Sequence, residues 1–101
     1  PVLSCLALGL EAAGREITTV EGLAGPRGPH PMQRRFAELN AAQCGYCTPG
    51  FLLAAKSLLE KEPSPDRDTI RRELSGNLCR CTGYLKIYEA VEMAAEDLRR
   101  G

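Results

Sequence analysis

The chain has 101 residues, 44% of them hydrophobic, which suits one small domain with a modest core and is too little for a large enzyme. Lys and Arg number 13 and Asp and Glu 13, so the net charge of +0 offers no basic face for nucleic acid. No stretch approaches the roughly 20 apolar residues of a membrane span, and Pro1 to Gly14 lacks the charged start of a signal peptide, so the chain reads as soluble and cytoplasmic.

From Ser4 to Leu23 the pattern reads as extended. Cys5, Leu6, Leu8 and Leu10 lead into a turn at Ala13-Gly14-Arg15 and then to Ile17, Thr18, Thr19 and Val20, which predicts a short hairpin. A helical turn over Leu6 to Ala13 is the alternative. Gly22 to Pro31 holds three Gly and three Pro and reads as a linker, dividing the chain into 1–28 and a helical domain over 29–101.

After the linker the apolar period becomes helical. Pro31 suits a first helical position, and Met32, Phe36 and Leu39 recur at helical spacing up to the first cysteine pair. Pro49 opens a second helix, apolar on nearly every side from Phe51 to Leu59, which predicts a buried central position. Glu62-Pro63-Ser64-Pro65 stops it, and Asp66 or Asp68 caps a short third helix carrying Ile70 and Leu74, ended by Gly76-Asn77. The last helix runs from about Tyr84 to Arg99, with Ile87, Tyr88, Val91, Ala94, Ala95 and Leu98 on one face. Each half repeats one plan: a short helix, a cysteine pair, Thr and Gly, then a longer helix. The expected fold is therefore mainly α, a four-helix bundle with approximate two-fold symmetry preceded by the short extended hairpin.

Five cysteines are an odd number, which argues against a closed disulfide framework. Four form two tight pairs, Cys44-Gly45-Tyr46-Cys47 and Cys79-Arg80-Cys81, with 31 residues between them; Cys5 stands alone. Each pair precedes a helix start, where free backbone N–H groups stabilise thiolates and negative clusters. Arg80 adds positive charge between two cysteines. A dithiol redox motif leaves Cys79 and Cys81 idle, whereas a structural zinc and a [2Fe-2S] cluster both use all four, and spacing alone leaves these two open. The zinc reading makes the chain a helical interaction module without redox activity.

The segments Gln43-Cys44-Gly45-Tyr46-Cys47-Thr48-Pro49-Gly50 and Gly76-Asn77-Leu78-Cys79-Arg80-Cys81-Thr82-Gly83-Tyr84 resemble the two signature segments of the iron-sulfur small subunit of molybdenum hydroxylases, the xanthine oxidase family. The corresponding subunits of bacterial carbon monoxide dehydrogenase and hydroxybenzoyl-CoA reductase are similar. Thr18 to Leu23 and His30-Pro31-Met32-Gln33 resemble further family segments, so the likeness covers nearly the whole chain. The resemblance implies a [2Fe-2S] cluster on Cys44, Cys47, Cys79 and Cys81, and an approach of Gln43 and Cys81 to a molybdenum-pterin cofactor held by a large partner subunit. Electrons would then pass toward a second [2Fe-2S] cluster and the flavin of an FAD-binding medium subunit. Val2 to Leu6 resembles the last segment of a ferredoxin-like domain, which makes residues 1–28 a remnant of that domain and Cys5 one ligand of the distal cluster. The other three ligands are absent from this chain, so that cluster is not expected to form in it, and the start at Pro1 suggests a fragment or a processed chain.

Plainer roles are expected elsewhere. His30 is read as structural or solvated, and Tyr46 and Tyr84 as packing groups that shield the cluster from water. No nucleophile, base or substrate pocket is evident, so catalysis would belong to an assembled complex.

Overall fold

The structure is a computed structural model that describes residues 1–101. It contains four α-helices: α1 Pro31–Glu38, α2 Thr48–Lys61, α3 Arg67–Glu73 and α4 Leu85–Arg100. Each boundary has a local cause. At α1, Pro31 fills the first turn, His30 Nδ1 accepts from the Met32 amide at 3.2 Å, and Gln33 Oε1 accepts from the His30 amide at 2.9 Å. The helix closes where Asn40 turns left-handed (φ 53°), letting the Ala41 amide reach back to Phe36 O at 2.9 Å. At α3, Asp66 Oδ1 accepts from the Thr69 amide at 2.7 Å.

The capping explains His30. Its ring serves as an acceptor, and burial first, then the charge of Lys56, pushes its pKa below the usual histidine value. A neutral imidazole is what the cap needs.

The helices form a ring in which α1 contacts α2 and α4, and α3 contacts the same two. The short-then-long order holds in both halves, 8 and 14 residues followed by 7 and 16. Met32, Phe36, Phe51, Ala55, Ile70, Leu74, Ile87, Val91 and Ala94 fill the centre, with no charged group among them. The second helix is buried as its composition predicts, through Phe51, Leu52, Ala55, Leu58 and Leu59. Polar clamps fix the perimeter: Arg35 and Arg34 of α1 bind Asp97 of α4, and Arg67 of α3 binds Glu92 of α4.

The expected hairpin between Ser4 and Leu23 is not formed. No strand is present; the segment makes 3-10 turns at Ser4–Leu6, Gly9–Ala12 and Val20–Gly22, and one isolated bridge joins Gly25 to Gly28. The alternation of Leu6, Leu8 and Leu10 finds no core face, and all three stay exposed. A lone two-stranded ribbon with neither face buried is marginal in water, so local turns win. The helical domain also draws on this segment, because Leu23 is only 7% exposed and Val20 packs against the same core.

Candidate metal centre

All four paired cysteines lie at one end of the bundle, in the loops that lead into α2 and α4. Gly45, with φ 82°, takes the left-handed turn between Cys44 and Cys47, and Cys47 becomes the residue that caps α2. On the other side Gly83 (φ 72°) and Tyr84 (φ 74°) fold the chain back before α4. The loops interlock: Gln43 Nε2 donates to Cys81 O at 3.1 Å, and Asn77 Oδ1 lies where a Cβ on Gly50 would come within 2.9 Å.

The sulfurs meet across the loops. Cys44 Sγ and Cys81 Sγ are 3.6 Å apart on the exposed side, and Cys47 faces Cys79 on the half-buried side. Burial first, then the hydrogen bond to Cys79, pushes the Cys47 thiol up to about 11. The hydrogen bond from the Thr82 side chain pulls Cys79 down to about 7, against its own burial. Cys81 is raised, first by its hydrogen bond with Cys44.

Two thiolates on one tetrahedral metal with bonds near 2.3 Å sit about 3.8 Å apart, close to the Cys44–Cys81 separation. A single zinc would require that spacing among all four sulfurs at once. Here the cysteines pair across the segments, Cys44 with Cys81 and Cys47 with Cys79, and the two couples lie close enough for Cys44 to act on Cys47 and Cys79 on Cys81. That arrangement gathers all four thiols, one couple on the exposed side and one on the half-buried side, around a single place for a metal group. A second feature fits a bound group: Thr48 Oγ1, next to Cys47, is buried and has no hydrogen-bond partner within the chain.

The neighbours divide by side. Tyr84 is half-buried, edge-on to Phe51 with centroids 6.3 Å apart and stacked on Tyr88, and its hydroxyl accepts from the Cys79 amide at 3.0 Å. Tyr46 does not shield the site. The left-handed turn at Gly45 directs it into solvent, where it is 95% exposed. Leu78 is exposed as well. Arg80 is exposed between the two cysteines of its pair, and Cys5 is exposed and outside the four-cysteine group. Thr82, which follows the second cysteine pair as Thr48 follows the first, is a further residue of the site, its hydroxyl lying against Cys79 Sγ.

Residues 19–92 match a family of [2Fe-2S] binding domains. The nicotinate dehydrogenase small FeS subunit of Eubacterium barkeri is 50% identical over 96 residues, 95% of this chain and 61% of that protein. The nicotine 6-hydroxylase small subunit of Paenarthrobacter nicotinovorans is 51% identical over 90 residues, 89% of this chain and 54% of its own length. The chain therefore spans less than two thirds of these relatives. Among solved structures, quinoline 2-oxidoreductase from Pseudomonas putida 86 superposes with a TM-score of 0.91 at 47% identity, covering 100% of this chain and 64% of the other.

Proposed function

Because this chain belongs to the [2Fe-2S] binding domain family, which recurs in nicotinate dehydrogenase and xanthine dehydrogenase, we propose that it carries single electrons within a molybdenum-containing hydroxylase. Cys44, Cys47, Cys79 and Cys81 would hold the cluster. When bound, the cluster supplies one-electron redox chemistry between the molybdenum-pterin cofactor of a large partner subunit on one side and a second [2Fe-2S] cluster and an FAD-binding subunit on the other.

The observation that carries this reading is the 3.6 Å contact of Cys44 and Cys81, residues 37 apart in sequence. The chain's own contribution is to hold thiolates in place and to divide them between two environments. Cys47 and Cys79 sit against the Phe51 and Tyr84 side of the core, where water is reduced. Cys44 and Cys81 open toward the surface, where a second redox centre can approach closely and shorten the electron's path. Gln43 spends one amide proton on Cys81 O and keeps its other N–H and its carbonyl for a pterin edge. Exposed Tyr46 and Leu78 on this end suit a surface that a larger subunit covers.

On this reading residues 29–101 are the cluster-binding unit, with Val20 and Leu23 packed on its core, and the rest of 1–28 is the end of a ferredoxin-like domain. No helix is long and apolar enough to cross a membrane; we place the complex in the cytoplasm. The ligand assignment is tested by changing each cysteine to serine and measuring iron and acid-labile sulfide. Cys44→Ser, Cys47→Ser, Cys79→Ser and Cys81→Ser should each lose most of the cluster, and Cys5→Ser should keep it. Full iron in any of the first four, or loss in the fifth, contradicts the assignment.

A further inference from the structure

Thr82 aims both of its hydrogen-bond donors at one sulfur. Its hydroxyl lies 3.1 Å and its backbone nitrogen 3.4 Å from Cys79 Sγ. The neighbour on the other side fixes the direction of the hydroxyl bond. The Tyr84 backbone N–H, which can only donate, reaches Thr82 Oγ1 at 3.2 Å. That occupies an oxygen lone pair and leaves the single hydroxyl proton for Cys79 Sγ, which as a metal-bound thiolate has no proton of its own and can only accept.

The loop is held from several sides. The Cys79 amide donates to Tyr84 Oη, and the Tyr84 ring is fixed between Phe51 and Tyr88. Tyr84 itself keeps a left-handed backbone (φ 74°), a conformation that bulky residues adopt only where their surroundings impose it. Among the four paired cysteines, Cys79 alone accepts a side-chain hydroxyl.

We propose that Thr82 is a positioning residue that raises the reduction potential of the cluster by stabilising negative charge on the Cys79 sulfur, an inference that rests on the [2Fe-2S] reading above. Reduction adds one electron to the cluster and breaks no bond, and the electron in the test comes from dithionite. Part of the added charge spreads onto the thiolates, and hydrogen bonds to a more negative acceptor are stronger. The reduced state therefore gains more from Thr82 than the oxidised state does.

The full chain is loaded with cluster and titrated with dithionite in the presence of mediators, with the reduced fraction read by electron paramagnetic resonance. Wild-type protein must first hold about two irons and two sulfides, the content of one cluster; failure at this step sinks the cluster reading itself. Thr82→Val, which keeps the shape and removes the hydroxyl, should lower the reduced-to-oxidised ratio at the wild-type midpoint about three- to tenfold, roughly 28 to 59 mV for a one-electron couple. Thr82→Ser should restore most of the wild-type ratio. An unchanged or raised potential in a loaded Thr82→Val protein overturns the proposal while leaving the cluster reading intact. Should Thr82→Val not load, Thr82→Ala is titrated in its place with the same expectation; if neither loads while Thr82→Ser does, the hydroxyl serves assembly and the tuning role is rejected.

Discussion

Replacing Asp97 with alanine removes the carboxylate that joins α1 to α4. Its oxygens accept a fork from Arg35, Nε at 2.7 Å and Nη2 at 2.8 Å, and Arg34 Nη2 adds a third contact at 3.3 Å. The Asp97 side chain is only 12% exposed and that of Arg35 23%, so the variant removes a sheltered carboxylate and leaves Arg35 with only its Glu38 partner at 2.9 Å. Breaking a fully buried pair costs about 3 to 5 kcal/mol and a surface pair about 0 to 1, which puts this intermediate case at about 2 kcal/mol. The pH dependence supplies an independent check. Arg35 first, with help from Arg34, holds the carboxyl at about 2 instead of its ordinary 3.8. At 1.36 kcal/mol per pH unit that shift corresponds to about 2.4 kcal/mol, and solvent screening at the more exposed Arg34 reduces it to about 1 to 2. Because the folded value is the lower one, the stabilisation is complete above the unfolded pKa and disappears as pH falls toward 2. Urea unfolding should therefore show Asp97→Ala about 2 kcal/mol less stable at pH 7, equivalent to about 8 °C or more in Tm, with the deficit narrowing between pH 4 and pH 2. A deficit below about 0.5 kcal/mol at pH 7, the ordinary range for surface substitutions, would refute the reasoning. So would one that does not narrow in acid.

Phe51→Ala should cost about 3 to 5 kcal/mol in urea unfolding, because Phe51 is fully buried at the start of α2. It should also lower iron content, since the Tyr84 ring that braces the Cys79 loop packs on Phe51; full iron retention would separate the loop from the core. Gly45→Ala meets no atom within 4 Å, so its cost is conformational alone, about 1 to 2 kcal/mol for a left-handed residue. Equal stability of that variant would mean that the turn between Cys44 and Cys47 does not need the positive φ.

The helices were legible because their signals are local. Pro31 and Pro49 at helix starts, Asp66 as a cap, and the apolar period of α4 each act within a few residues, and the observed starts fall within a residue or two of the expected ones, whereas α1 stops at Glu38, short of the first cysteine pair, because Asn40 turns left-handed, and α3 stops at Glu73, ahead of Gly76. The hairpin failed because alternation specifies a strand only when a sheet or core receives one face, and Leu6, Leu8 and Leu10 have neither. At the site, the cysteines announced themselves by spacing, while their cross-loop coupling depends on how two distant turns meet. Tyr46 follows the left-handed Gly45 and faces solvent instead of shielding the site, a geometry that is not written in the cysteine spacing. Thr82 escaped notice for a similar reason: its hydroxyl finds Cys79 only because Gly83 and Tyr84 fold back and the Tyr84 amide occupies its other side.

The most direct test of the central claim is metal and acid-labile sulfide analysis of the anaerobically purified full chain, with visible and electron paramagnetic resonance spectra before and after dithionite. The account predicts about two irons and two sulfides per chain, visible absorption, and a paramagnetic signal that appears on reduction. About one zinc per chain with no sulfide, persisting after attempted cluster reconstitution, would contradict it and leave a structural helical module in its place.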